Sequence, residues 1–277
     1  MRLFDTHTHI QGPEYDADRN ETLQRARDAG MTGLLVLGWD VSSTERAIAL
    51  AERHDDVLAA AGCHPHSADE MDDAKLARLG ALAEHPRVAV VGEIGLDFYR
   101  NFSEHRPQID VFRSQLETAA ALGKPVAIHC REAHDTCLPI VEAWSRALGG
   151  RLPDGRPLGV LHYFSGDADL GQRYVELGLL ISVHTSVTHP RSEQLRDVAR
   201  SLPLDCLLVE TDSPYGAPQS MRGRRNEPAY VVEAVRQIAE LRDEPIERVA
   251  DATTDNALRL LGLTAPLSAM RAAQGSA

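Results

Sequence analysis

Asp5-Thr6-His7-Thr8-His9 stands at the end of a short apolar run near the N-terminus. In a β-strand, residues two apart point to the same face, so both imidazoles would lie on one side of the strand. A helix with the same spacing would separate them. Two imidazoles that converge on one point form a site for a divalent ion such as Zn2+ or Mn2+. For this motif alone, a chance His-x-His pair in a loop is an equal alternative.

The rest of the sequence is a series of βα units, in which a short apolar strand is followed by a helix. Short runs rich in Val, Leu, Ile and Ala alternate with longer segments of helical apolar spacing, which is typical of helices around a parallel sheet. We predict strands at residues 3–10, 33–38, 58–63, 88–94, 125–130, 158–163, 179–183 and 207–212. Helices are predicted between them, for example at 20–29, 72–84, 104–122, 135–148, 191–201 and 229–241.

Eight strands are the number that a closed barrel needs, so the predicted fold class is α/β, a single-domain (β/α)8 TIM barrel. The barrel domain is expected over residues 1–263, and residues 264–277 are expected to form a frayed C-terminal tail. With 277 residues, of which 43% are hydrophobic, the chain is long enough for one large core.

Composition also bears on location and partners. No apolar run approaches the roughly 20 residues of a membrane-spanning helix, and the N-terminus does not resemble a signal peptide, so we expect a cytoplasmic protein without a membrane partner. The four cysteines form no CxxC pair, which favours reduced thiols. A net charge of -12 argues against wrapping duplex DNA through a basic face. It leaves open a substrate whose phosphates meet metal ions in a pocket.

Residues suited to metal binding or proton transfer lie at the ends of the predicted strands, the face on which barrel enzymes build their active sites. After the first strand, these positions hold His64, His66, Glu93, His129, Arg131, His162 and Asp212. Each of them alone is more readily explained as an ordinary rim residue. Their occurrence together on one face predicts an active site.

Two carboxylates lie one strand period before proposed ligands. Asp5 precedes His7, and Glu210 precedes Asp212, so both could orient ligands from beneath. For Glu210, an ordinary buried hydrogen bond is an equal alternative.

The lysines exclude one common kind of bridge between two metal ions. Lys75 lies in a predicted helix and Lys124 precedes the fifth strand, so neither can supply a carbamylated lysine at a strand end. Glu93 is the natural replacement, because a carboxylate can bind two ions through its two oxygens.

A basic loop, residues 222–228, follows Asp212 and suits phosphate recognition. Within it, Arg225 is expected to be a substrate or structural anchor near the site. His66 is expected to line the substrate cleft, although a role in capping a turn is equally compatible with its position.

In this order, the motifs resemble the TatD family of metal-dependent hydrolases, often described as TatD-type deoxyribonucleases. The resemblance runs from residue 5 to about residue 261. The segments that carry it are DTHTH at 5–9, GCHPH at 62–66, GEIGLDFYR at 92–100, HCREA at 129–133, HYFSG at 162–166, ETDSPY at 210–215, RNEPAYV at 225–231 and NALRLL at 256–261. Tyr163, where the family often has a small residue or cysteine, is a departure that touches no proposed ligand.

The resemblance implies a TIM barrel that binds one to three divalent ions, and it implies a role for each donor. The residues concerned are His7, His9 and Asp212 for one ion, His129 and His162 for a second, Glu93 as the bridge between them, and His64 as a substrate-contacting or catalytic histidine. It also implies metal-dependent hydrolysis of DNA, with 3'-to-5' exonuclease action in some members. Some members have been linked to deacylation of D-aminoacyl-tRNA.

The functional hypothesis is therefore a monomeric deoxyribonuclease that acts on single-stranded DNA or 3' ends. Two ions per chain, Mg2+, Mn2+ or Zn2+, would activate water for attack on the phosphodiester. Asp212 would act as general base, with Glu93 the second catalytic carboxylate. His64 and an arginine, Arg131 or Arg225, would stabilise charge on the phosphoryl oxygens.

Two alternatives remain open at this point. The same metal site could serve a D-aminoacyl-tRNA deacylase or another ester or amide hydrolase. A noncatalytic barrel is the other alternative, but its signature would be a lost ligand, and all six proposed metal ligands are in place.

Overall fold

The computed structural model describes residues 1–268. Within them, eight parallel strands lie side by side in chain order, each paired with the next. The strands are β1 (Leu3–Thr8), β2 (Met31–Leu37), β3 (Val57–Ala61), β4 (Val88–Asp97), β5 (Val126–Arg131), β6 (Gly159–His162), β7 (Leu179–His184) and β8 (Leu207–Glu210). Each predicted strand is confirmed to within a few residues at its ends.

Backbone hydrogen bonds join the first strand to the segment that ends the last one. The N–H of Asp212 donates to the carbonyl of His7 at 2.9 Å, and the N–H of His9 donates to the carbonyl of Ser213 at 2.8 Å. A parallel bridge pairs Thr8 with Ser213. This seam between β1 and β8 closes the sheet into the predicted barrel.

Helices connect the strands and surround the barrel. They are α1 (Arg19–Asp28), α2 (Val41–Arg53), α3 (Asp73–Ala83), α4 (His105–Leu122), α5 (His134–Leu148), α6 (Ala168–Glu176), α7 (Glu193–Ser201), α8 (Val231–Arg242) and α9 (Ile246–Leu261). The start of α2 illustrates how sequence sets a boundary. The Asp40 side chain accepts the N–H of Ser43 at 2.6 Å, and the Ser43 hydroxyl accepts the N–H of Asp40 at 2.9 Å, which satisfies two otherwise free backbone donors.

Apolar side chains fill the end of the barrel opposite the polar strand ends. Phe4, Val90 and Leu208 belong to this inner cluster, and Leu260 of α9 and Leu267 pack into it. Leu267 is therefore buried although it falls in the predicted frayed tail. Residues 269–277 of that tail lie outside the described residues. Because this end is packed with apolar groups, the opposite end is the open mouth.

Strict alternation of side chains does not hold through β1, whose register shifts between Asp5 and Thr8. Phe4 lies in the inner cluster, and His7 also faces the interior, where its ring reaches Glu93. A local bulge of this kind re-aims a side chain, so that two residues three apart share one face. Asp5 accepts the backbone N–H of His7, as a supporting group rather than a ligand.

Candidate metal centre

Glu93 lies at the middle of the mouth, and its side chain is 3% exposed. Its Oε2 lies 3.2 Å from His7 Nε2 and 3.4 Å from His9 Nε2. Its Oε1 lies 2.9 Å from His129 Nδ1 and 3.5 Å from His64 Nε2. His162 Nε2 lies 3.6 Å from the same Oε1. Each carboxylate oxygen thus faces imidazoles of its own, an arrangement that suits a carboxylate shared by two ions.

Asp212 and His162 complete this group of side chains from the other side of the barrel. Asp212 Oδ1 lies 3.5 Å from His9 Nε2 and 4.0 Å from His162 Nε2. The His162 ring stacks on that of His7 with 3.3 Å between centroids, and its Nδ1 lies 2.8 Å from Glu210. Glu210 therefore lies behind His162, where a carboxylate that supports a metal-binding histidine is expected.

The backbone at Asp212 lies in the left-handed region, with φ of +52°. A non-glycine residue held there costs on the order of 1–3 kcal/mol, and such conformations concentrate at functional sites. Here the conformation brings the carboxylate against the imidazoles directly after the end of β8.

The donor atoms fit divalent ions. Three groups have their donor atoms all within 4.8 Å of one another: His7, His9 and Asp212; His7, Glu93 and His162; and His64, Glu93 and His129. Within residues 1–268, the ion pairs of Glu93 and Asp212 are all with histidines, so no lysine or arginine takes the place of a cation. Neutral imidazole and carboxylate together are ligands for Zn2+ and Mn2+.

Charge in the cluster is strongly perturbed. Burial alone would raise the pKa of Glu93, but the imidazoles around it, His64 first, hold that pKa well below its usual range. The pKa of Asp212 is likewise raised by burial and lowered further by His9 and its neighbours, with a net decrease. Burial lowers the pKa of His9, whereas the contacts with Asp212 and Glu93 raise it to about 10. Both carboxylates are therefore anionic at neutral pH, as ligands must be.

Asp97, which the sequence analysis did not select, links two of the histidines. Its Oδ2 lies 3.0 Å from His66 Nε2 and 3.1 Å from His129 Nε2. Its Oδ1 accepts the N–H groups of Tyr99 at 3.0 Å and Arg100 at 2.8 Å. Burial raises the pKa of Asp97, but the bonds to His129 and His66 lower it far more. This buried carboxylate orients His129 towards Glu93.

A signal for Asp97 was present in the sequence. It follows Glu93 by four residues on one strand, so the two side chains share a face. A second carboxylate on the same face as a proposed bridging ligand is a natural partner for nearby histidines.

The predicted substrate-binding residues fall in different places. His66 lies beside the cluster, since it contacts Asp97, and its side chain is 30% exposed. Arg131 ends β5 at the mouth, where its guanidinium lies 3.9 Å from the centre of the Tyr99 ring. Substrate binding by His66 and Arg131 stays a prediction.

Arg225 is engaged elsewhere. Its guanidinium makes two bonds of 2.7 Å to the Asp18 carboxylate and one of 3.0 Å to Glu227, and it also donates to the carbonyl of Glu14. It lies over the Tyr15 ring at 4.3 Å. These contacts favour the structural alternative, an anchor between the loop and the segment before α1. Substrate binding by Arg225 stays a prediction.

His184, at the end of β7, is fully buried beside the centre. Its Nε2 donates to the carbonyl of Thr211 at 2.5 Å, and its Nδ1 accepts the N–H of Ser186 at 2.9 Å. The Tyr163 ring stacks on it at 3.8 Å. Burial lowers the pKa of His184 to about 4, so the ring is neutral and supports the loop that carries Asp212.

A β/α barrel whose mouth gathers histidines and buried carboxylates around one shared glutamate defines a class of protein, the metal-dependent barrel hydrolases. Comparison with known proteins narrows the class. Residues 4–262 match the family described as TatD related DNase. The chain belongs to this family, TatD, of metal-dependent hydrolases.

Individual relatives support the assignment over nearly the whole chain. The chain is 35% identical over 259 residues to an uncharacterized metal-dependent hydrolase, YabD, of Bacillus subtilis, covering 93% of this chain and 98% of YabD. It is 38% identical over 269 residues to the 3'-5' ssDNA/RNA exonuclease TatD of Erwinia billingiae, covering 95% and 100%. The crystal structure of YJJV, a TatD homolog from Escherichia coli, superposes with a TM-score of 0.86 at 33% identity, covering 95% and 98%.

None of the helices within residues 1–268 combines the length and the apolar character needed to cross a membrane. Cytoplasmic location stays a prediction, as does the monomeric state.

Proposed function

We propose that this chain removes nucleotides from the 3' end of single-stranded DNA, hydrolysing phosphodiester bonds with two divalent ions per molecule. The observation that carries the proposal is the position of Glu93, whose two oxygens face different imidazoles: His7 and His9 lie at Oε2, and His64, His129 and His162 lie at Oε1. The name of the Erwinia billingiae relative, a 3'-5' ssDNA/RNA exonuclease, supports the substrate and the polarity.

We divide the donors into two sets, as the resemblance to the family implies. His7 and His9 face Glu93 Oε2, and Asp212 has a donor atom within 4.8 Å of theirs, so these three would hold the first ion. His129 and His162 lie 2.9 and 3.6 Å from Glu93 Oε1, and they would hold the second. When bound, such ions supply positive charge that acidifies a water molecule and neutralises phosphate oxygens.

The side chains have separate tasks around the scissile phosphate. Asp212 is ionised, and its side chain is 13% exposed at the mouth, so it can accept a proton from the attacking water. Burial keeps the pKa of His64 well below its ordinary value, so this ring is neutral and can donate a hydrogen bond to a phosphoryl oxygen. Arg131 supplies a fixed positive charge at the rim. His66 would contact the adjoining nucleotide.

The test is nucleotide release from a 5'-labelled single-stranded oligonucleotide, with D-aminoacyl-tRNA assayed in parallel. Metal-stripped protein is reloaded with Mg2+, Mn2+ or Zn2+, and a ladder that shortens from the 3' end is expected. Asp212→Asn should lower turnover by about 10²–10⁴-fold. Asp73→Asn, a substitution at an exposed site on α3, is the matched control and should retain activity.

Two results would overturn the proposal. Equal nucleotide release by folded, metal-loaded Asp212→Asn would remove the role of this carboxylate. Deacylation of the tRNA without nucleotide release would move the substrate class to aminoacyl esters hydrolysed at the same centre.

A further inference from the structure

Exposed aromatic side chains are concentrated at the mouth of the barrel. Within residues 1–268, four large hydrophobic side chains are exposed, and one of these belongs to Met1. The other three are Tyr99 at 55%, Phe102 at 67% and Tyr215 at 59%. All three lie in loops that directly follow β4 or β8, the strands that carry Glu93 and lead to Asp212. Single exposed apolar residues are ordinary, but three rings around one site are not scattered.

On the β4 side, the rings are joined to the metal centre by direct contacts. The Phe102 ring meets His66 at 4.8 Å with an interplanar angle of 82°, and His66 is bonded to Asp97. The Tyr99 ring lies under the Arg131 guanidinium at 3.9 Å, with Arg100 at 5.6 Å. An aromatic ring beside arginine offers stacking for a base and positive charge for its phosphate.

On the opposite side, Tyr215 lies 6.4 Å from His9, measured between ring centroids. The Trp39 ring approaches the same histidine at 5.3 Å, and Arg46 lies 5.6 Å from the Trp39 ring. Both sides of the mouth therefore pair aromatic and cationic groups next to proposed ligands.

We infer that Tyr99, Phe102 and Tyr215 are stacking subsites for unpaired nucleobases on the two sides of the scissile phosphate. This inference rests on the proposed function and names how its substrate is recognised. The occupant is a single strand, because the faces of bases in a duplex are already covered by their neighbours. The rings thus select single strands over duplex.

The net charge of the chain also favours a single strand as the ligand of these rings. With a net charge of -12, the protein gains little from general attraction to phosphates. Stacking on a ring is tolerant of sequence and contributes without a basic surface. The three rings would therefore supply affinity for a single strand that the negative net charge of the protein does not supply.

The test is equilibrium binding, read by fluorescence anisotropy, of a labelled ten-nucleotide thymidine strand with phosphorothioate linkages to the metal-loaded protein. The comparison strand has abasic residues at its three 3'-terminal positions. Phe102→Ala and Tyr215→Ala should each weaken binding of the thymidine strand about tenfold, in the range measured for loss of a stacked base. Binding of the abasic strand should change less than about twofold. Phe102→Tyr and Tyr215→Phe keep a ring and should bind like the unaltered protein.

The inference would be overturned if the alanine variants bound the thymidine strand as tightly as the unaltered protein does. It would also be overturned if they lost the same factor in affinity for the thymidine strand and for the abasic strand. A uridine strand, run in parallel, distinguishes RNA from DNA as the source of the bases. Failure of the proposed function has a different signature, since stacking-dependent binding would persist while no strand is hydrolysed.

Discussion

Replacing Asp97 by Asn changes one atom of a buried carboxylate and so tests how the centre is held together. Four donors share its two oxygens: the rings of His66 and His129, and the backbone N–H groups of Tyr99 and Arg100. Asparagine has one acceptor oxygen, so two of these donors lose their partner whichever way the amide turns. Each bond to a charged acceptor contributes about 1.5–3 kcal/mol, so the free energy of unfolding should fall by about 3 kcal/mol or more.

The loss should also reach the metal centre. Burial lowers the pKa of His129, and Asp97 and Glu93 raise it to about 9. Without the carboxylate, His129 is a weaker and less firmly oriented ligand, so affinity for the second ion should fall about 10–100-fold. This corresponds to about 1.4–2.7 kcal/mol.

The assay is a chelator competition titration of Asp97→Asn with Mn2+ and Zn2+, alongside denaturant unfolding of the metal-free protein. An NMR titration of the His129 ring in the metal-free protein should show a lower pKa in the variant. Asp73→Asn is the control for loss of one surface charge. A folded Asp97→Asn protein with metal affinity within twofold of the unaltered protein would refute the reasoning.

Three further predictions concern other parts of the molecule. The pKa of His184 is about 4 in the folded state and about 6.5 in the unfolded chain, so the neutral ring stabilises the protein above pH 6.5. Up to about 3 kcal/mol of this stability is lost as the pH falls to 4. In His184→Gln, the free energy of unfolding should therefore depend less steeply on pH between about 6.5 and 4. Removal of metal with a chelator should lower Tm by about 5–10 °C in calorimetry, reversed by excess Mn2+ or Zn2+, and an unchanged Tm would count against a filled centre. Arg225→Gln should lower the free energy of unfolding by about 1 kcal/mol, because Asp18 and Glu227 each lose one of two arginine partners and keep Arg25, with KM for single-stranded DNA unchanged. A raised KM would instead make Arg225 a substrate ligand.

The barrel could be predicted because each of its strands is marked by residues that are neighbours in the sequence. Each strand is a short apolar run, and six of the eight runs, all except β2 and β7, lead into a histidine or carboxylate of the proposed site, so position along the strand alone places the side chain at the mouth. This is why Glu93 and His129, 36 residues apart, could be assigned to one site without knowledge of their contact.

What sequence did not predict depends on contacts between segments. The bulge in β1 changes which residues share a face, and no residue type in the run signals it. The pairing of Asp97 with two histidines requires β3, β4 and β5 to be in register. Arg225 looked suited to phosphate because its loop is basic, whereas its partner Asp18 lies 207 positions away.

The seam between β1 and β8 has a consequence for how the protein is made. His7 and His9 leave the ribosome some two hundred residues before Asp212, which is bonded to the same stretch of backbone. A nascent chain therefore carries histidines able to trap a stray ion long before their carboxylate partner exists. Only the arrival of the last strand assembles the full set, so the proposed centre cannot form before the segment that follows β8 has been synthesised.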